Sequence, residues 1–322
     1  MPDAGRAPPF STDTRLTDQG ICPPVLILGF NRPDTTSRVL EALRPVRPAQ
    51  LYFAVDGPRA ERAGERERVL EVQRLAERID WPCEAYTLFR DSNLGCKLAV
   101  SEAISWFFDR VEAGIILEDD CVAHPNFFRF AAELLDRFHD DERVLMISGD
   151  NFQFGRRRTP YSYYFSLYTH IWGWATWRRA WRLYDHRMSL WPELRDGGWL
   201  EDVLGDRVAA ASWSRIFEDT WRERNSSWAY RWTFAAWVQG ALTVLPAVNL
   251  VSNIGFGEQA THTRRANPLA ALPAQPMDFP LSHPPYVIRD ARADRYTQRA
   301  VFSSGSLLRR AARALYRGMR PA

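Results

Sequence analysis

Residues 115–121 read IILEDDC, so Glu118, Asp119 and Asp120 follow one another where a short apolar run ends. Carboxylates take up protons, accept hydrogen bonds from hydroxyl groups and ligate hard divalent cations through oxygen. They also sit in ordinary loops ahead of helices, where they are solvated and favour the helix N-terminus. Two carboxylates about 4 Å apart repel by roughly 4 kcal/mol at an effective dielectric near 20, but neighbours in extended backbone point to opposite faces and escape this. The triplet alone leaves a solvated turn and a cation site both open.

The elements that must carry it follow from periodicity. VLILGF (25–30), LYFAVDGP (51–58), CEAYTLFR (83–90), AGIILEDD (113–120) and RVLMISGD (143–150) are apolar runs that end in polar residues. Helical patterns lie between them; Pro33 with Asp34, Thr35 and Thr36 opens the first, and a charged amphipathic helix is predicted over 60–79. Continuous apolar strands alternating with helices predict an α/β fold whose central sheet is mostly parallel and covered by helices on both faces. Ligands of such sheets bind beyond the carboxyl ends of the strands. Phe30, Asn31 and Arg32 stand there after the first run, Asp56 and Gly57 after the second, Arg90 to Asn93 after the third, the acidic triplet after the fourth, and Asp150 and Asn151 after the fifth. Neither a G-x-G-x-x-G after the first strand nor a G-x-x-x-x-G-K-[ST] occurs, which removes the usual dinucleotide and P-loop readings.

From about Gly155 the composition changes, and eleven of the thirteen tryptophans lie between Trp172 and Trp237. Trp174, Trp177 and Trp181, like Trp228 and Trp232, fall at helical spacing, which is usually core. A minority would line a site, because sugars present flat C–H faces that suit aromatic rings. In the tail, Leu307, Leu308, Ala311, Ala312, Leu315 and Met319 share a helical face, while Arg309, Arg310, Arg313, Arg317 and Arg320 lie largely elsewhere. Such a helix can rest on an anionic membrane surface or dock on its own domain, and both stay open.

With 322 residues and 46% hydrophobic content the chain can bury a sizeable core. Its formal net charge of +3 is modest and its basic residues are interleaved with acids, which argues against nucleic acid as a partner. Cys22, Cys83, Cys96 and Cys121 form no Cys-x-x-Cys pair, so neither zinc nor a disulfide framework is suggested. A reducing cytoplasmic setting is expected, with the tail able to touch the inner face of a membrane. The N-terminal residues show no basic start followed by an apolar segment, and no stretch approaches the ~20 apolar residues of a membrane span.

The ordered set LGFNRPD, AVDGP, NLGCKLAVSEAISWFF, IILEDDC, ISGDNF, THIWGWATWRRAW and NLVSNIGFGEQATHT resembles GT-A-fold nucleotide-sugar glycosyltransferases. It is most similar to bacterial enzymes related to the N-acetylglucosaminyltransferase I family. The similarity spans about Val25 to Thr263. It implies a flexible lead-in at 1–22, a nucleotide-sugar-binding half at 23–154, an acceptor half of the same domain at 155–300, and the tail at 301–322. Phe30, Asn31 and Arg32 would then meet the base and diphosphate, and Asp56 with Asn93 the nucleoside side. Lys97 would help hold the diphosphate, and Glu118 and Asp119 would face ribose or sugar. Asp120 would ligate Mn2+ or Mg2+, with His262 approaching from the C-terminal side. Asp150, Asn151, His170, Trp172 and Trp174 would shape the sugar and acceptor pocket. The implied partners are a nucleotide-sugar donor, UDP-linked by the resemblance, and a hydroxyl acceptor such as a lipid-linked glycan.

One position departs from the pattern. Inverting members carry an aspartate base in a segment that reads like Trp-Asp-Tyr, and the corresponding stretch here is SSWAYRW, with Ala229 at that place. Alanine takes no proton. Either the base has been removed, or Asp219 or Glu218 substitutes, or the protein binds without turnover. A sugar nucleotidyltransferase is the rival enzyme, but its Gly-rich phosphate loop is not found in GFNRPD.

Overall fold

The structure, a computed structural model, describes residues 22–256, 269 and 272–302. His262, residues 1–21 and the tail from 303 onward lie outside the described residues. The first half follows its apolar runs closely. β1 (Val25–Gly29), β2 (Gln50–Val55), β3 (Glu84–Phe89) and β4 (Ala113–Glu118) pair in parallel in the order β3-β2-β1-β4. Parallel neighbours need long crossovers, and α1 (Pro33–Leu43), α2 (Glu65–Arg74) and α3 (Gly95–Phe108) supply them. Val25 to Leu28 and Ile115 to Leu117 are buried, which is why these runs show no polar alternation. The helix predicted over 60–79 is shorter: α2 starts after Gly64, whose φ of 72° suits glycine, and passes into a 3-10 turn at Leu75–Arg78.

The chain after β4 corrects the prediction of a mostly parallel sheet. It contains β5 (Cys121–Ala123), α4 (Pro125–Arg137), β6 (Val144–Ser148), β7 (Tyr163–Ser166), β8 (Trp174–Trp177) and α5 (Arg178–Trp181). There follow α6 (Trp191–Asp196), α7 (Trp199–Leu204), α8 (Arg207–Trp221), α9 (Trp228–Val238), β9 (Leu242–Pro246), β10 (Val251–Asn253) and α10 (Ala291–Thr297). β8 lies between β4 and β6 and runs antiparallel to both, β7 is antiparallel to β9, and only β6 and β9 are parallel here. The eight-stranded sheet β3-β2-β1-β4-β8-β6-β9-β7 is therefore mixed, and it continues across both halves of the chain. Helical spacing misled at Trp174 and Trp177. All four residues of β8 are buried, so a strand covered on both faces carries bulky rings without alternation, and the chain turns helical only from Arg178.

The tryptophans build the wall beside β4. The Trp174 ring lies 5.8 Å from those of both Trp228 and Trp232, and Trp213 lies 4.7 Å from Trp237. Caps fix where the helices carrying them begin: Asp206 accepts from the Val208 and Ala209 N–H groups, and Ser227 from that of Tyr230. A two-stranded antiparallel ribbon of β5 and β10 brings residues 253–255 back to the carboxyl ends of β1 and β4. Among the described residues no helix is long and apolar enough to cross a membrane.

Candidate active site

Register decides which charges meet. Leu28 of β1 is paired with Glu118 of β4, so the residues that follow each strand emerge side by side. The Phe30 N–H donates to the Asp119 carboxylate, and the Arg32 guanidinium engages both oxygens of Asp119 and reaches Asp120 Oδ2 through Nη1 at 2.8 Å. Asp119 and Asp120 are buried while the Arg32 side chain is 21% exposed. Arg32 also occupies the N-cap position of α1, where its carbonyl accepts from the Thr36 N–H (3.0 Å) and hydroxyl (2.7 Å).

The returning ribbon completes this corner. Asn253 Nδ2 donates to Asp120 Oδ1 (3.2 Å), the Ile254 N–H donates to the Asp120 carbonyl (2.8 Å), and the Gly255 N–H donates to Asn253 Oδ1 (2.8 Å). A Cβ on Gly255 would stand 1.9 Å from Asp120 Oδ2 and 2.7 Å from Arg32 Nη1, so only glycine lets the backbone come this close. Asn253 and Gly255 belong to the quoted NLVSNIGFGEQATHT stretch but carried no assigned role. The signal for one is an Asn-x-Gly that begins on the last residue of a strand.

Glu118 ends β4 and accepts from the indole of Trp228, the first residue of α9. Burial, and then the charges of Asp120 and Asp119, push its carboxyl up from the usual range, while Arg32 opposes them. Asp119 is also raised by burial, with Arg32 pulling the other way. The segment expected to hold the base is thus beside the carboxylate corner, and Ala229, half-buried against the core, follows directly after Trp228. The proposed substitutes are occupied elsewhere. Asp219 pairs with Arg224 (3.0 Å), and Glu218 accepts from Trp191, Arg195 and Arg222, which hold it down at about 2.

Several residues assigned to nucleotide contact have a structural task. Asp56 accepts from the Gly57 N–H, Asn93 Nδ2 and the Leu94 and Gly95 N–H groups, all within 2.8–3.1 Å, so it anchors the start of α3 with both oxygens filled. Asn93 spends its amide on Asp56 and the Gly57 carbonyl. Asn31 donates to Glu65 (2.9 Å), which also binds Arg59, and Arg59 lies over the Phe30 ring at 5.4 Å. Lys97 pairs with Glu223 (2.7 Å), which in turn meets the buried Arg231 of α9.

On the other flank, Asp150 is fully buried; Oδ2 accepts from the Trp172 N–H (2.9 Å) and Oδ1 has no partner among the described residues. Burial, with Glu118's charge adding to it, raises this carboxyl well above its usual range. His170 lies under the Phe152 ring (4.2 Å) with Nε2 unpartnered among the described residues, and burial lowers it to about 3, so it is neutral. Trp172 is half-buried, 5.0 Å from Phe152 and 5.3 Å from Phe256. Asn151 is committed to the Pro246 carbonyl and the Gln153 N–H, and Trp174 is core.

A divalent cation prefers carboxylate oxygens, and Asp119 and Asp120 offer them around a cation, here the Arg32 guanidinium. Among the described residues no three His, Cys, Asp or Glu side chains converge on one point. The corner offers a cation one or two carboxylates at most, a number that Mg2+ sites use only when phosphate and water supply the other ligands.

Neither a protein-family model nor a curated protein matches the chain. Among solved structures it is similar to HddC from Yersinia pseudotuberculosis, over 49% of this chain and 77% of that one, with 11% identity and a TM-score of 0.31.

Proposed function

We propose that this protein is a nucleotide-sugar glycosyltransferase of the GT-A type, moving a sugar from a nucleoside diphosphate, UDP by resemblance, to a hydroxyl acceptor with inversion. The observation that carries the reading is the meeting of Arg32, Asp119 and Asp120 where β1 and β4 end. Departure of a nucleoside diphosphate builds negative charge, and a positioned guanidinium lowers the cost of that charge. Asp120, with Asp119 beside it, would hold Mn2+ or Mg2+, whose bound charge opposes that of the leaving diphosphate. Phe30, half-buried and backed by Arg59, offers a ring face for the base. Trp172, half-buried, offers an aromatic ring for a sugar.

A second reading rests on one residue. With Ala229 at the base position and Glu218 and Asp219 held in ion pairs, a protein that binds the nucleotide sugar without transferring it also fits. Calorimetric titration of UDP with and without Mn2+ tests the common ground of both. Metal-dependent binding is expected, and failure to bind UDP in either condition overturns both readings. Acceptor-dependent release of UDP then separates them, since only a transferase shows it.

A further inference from the structure

We propose that Arg32 is a displaceable internal cation: it holds Asp119 and Asp120 until an anionic diphosphate draws it off, so nucleotide and divalent-ion binding are coupled through one side chain. The inference rests on the nucleotide-sugar reading of this corner. Its basis is a difference in tethers. Asp120 is tethered, because Asn253 holds Oδ1, the Ile254 N–H holds the carbonyl and Gly255 leaves no room beside Oδ2 for even a methyl group. Asp119 is held by the Phe30 N–H. Apart from the carboxylates, Arg32 is anchored through its backbone carbonyl, by Thr35 and Thr36; among the described residues its guanidinium bonds to nothing but the two carboxylates, and it is partly exposed. The long side chain is therefore the member free to swing.

Charge gives the direction. Arg32 offsets one of the two carboxylates it binds, leaving the corner negative before a diphosphate arrives. Lys97, the other cation assigned to the diphosphate, is engaged by Glu223. A diphosphate can draw Arg32 to itself, which uncovers two carboxylate oxygens for a divalent ion; equally, an ion arriving first must compete with a bound guanidinium. Coupling of this kind is reciprocal in the binding free energies.

Mn2+ binding, read by the spin-resonance signal of the free ion, tests this. The wild-type protein is expected to bind Mn2+ weakly alone and about tenfold or more tightly with saturating UDP. Arg32→Gln is expected to bind Mn2+ alone about tenfold or more tightly than wild type, with Arg32→Lys staying close to wild type because it keeps the competing charge. Glutamine at this place also leaves buried carboxylates unpaired, so the melting temperature of the variant should rise on adding Mn2+ by more than that of the wild type. If Arg32→Gln binds Mn2+ no better than wild type, the inference is overturned. If the Arg32→Gln variant does not fold, the wild type decides alone: equal Mn2+ affinity with and without UDP overturns it. Absence of UDP binding to wild type and variant at every Mn2+ concentration fails the nucleotide reading instead, while the metal-alone comparison still reads Arg32.

Discussion

Position 229 lies one residue into α9, beside the tryptophan whose indole holds Glu118. Its neighbour Trp228, rather than residue 229 itself, makes the contact with the carboxylate corner. Ala229→Asp is expected to raise acceptor-dependent transfer by about 10²–10⁴-fold, the usual worth of a positioned base, with UDP affinity little changed. Equal turnover in the two proteins would sink the idea that a missing base limits the reaction. Gly255→Ala asks a different question of the same corner. Its methyl would take the space of Asp120 Oδ2 and Arg32 Nη1, so the carboxylate itself is pushed from its place along with the guanidinium, and UDP binding measured with Mn2+ should weaken by about tenfold, roughly the loss of one charged contact. Unchanged affinity would show that residues 253–255 do not shape the pocket. The acidic triplet and Arg32 were legible from the chain because charges at the ends of apolar runs announce themselves. The saturation of Asp56 was not, since its hydrogen-bond donors include residues nearly forty positions away. Nor was the return of Asn253 and Gly255, which depends on a three-residue ribbon.

At the scale of elements, the five strands read from the first half appear close to where their apolar runs lie. Each is five or six residues long, and all but β3, at the sheet edge, are buried on both faces. Of β7 to β10, β8 alone carries tryptophans, and ring spacing there obeys packing rather than period, so β8 looked helical and the mixed sheet went unread. Contacts between elements also decide whether Asp56 serves ligand or fold. Its carboxylate joins the end of β2 to the start of α3, so Asp56→Ala is expected to cost about 2–3 kcal/mol in urea unfolding, the range for hydrogen bonds to a charged group. UDP affinity of the folded variant should stay within a few fold of wild type. Loss of nucleotide binding at unchanged stability would instead return Asp56 to the role of nucleoside contact.

Across the whole molecule, one sheet passes through both halves and makes them share their stability, so a charge cluster in one half reports on global unfolding. The Asn31–Arg59–Glu65 cluster is the cleanest such reporter. Hydrogen bonds from the Arg59 guanidinium, against the cost of burial and with help from the Arg59 N–H and Asn31, hold the Glu65 carboxyl down at about 2. A carboxyl whose folded value lies below its unfolded one contributes stability that is present above the unfolded value near 4.5 and is lost as pH falls toward about 2. Other buried groups act in the same range with opposite signs. His170, lowered to about 3, resists charging and costs stability as pH falls below 6.5, whereas Asp150, raised by burial, gains it as pH falls. Comparing wild type with Glu65→Gln cancels both, because neither touches the cluster. At pH 7 the variant should be less stable by about 1–2 kcal/mol, a value discounted because the Arg59 side chain is 40% exposed. As pH falls from about 4.5 toward about 2 that gap should close, since the wild-type carboxyl is then being protonated too. A gap that stays constant over this range in urea unfolding would mean that the cluster stabilises the fold through shape alone, and not through the charge on Glu65.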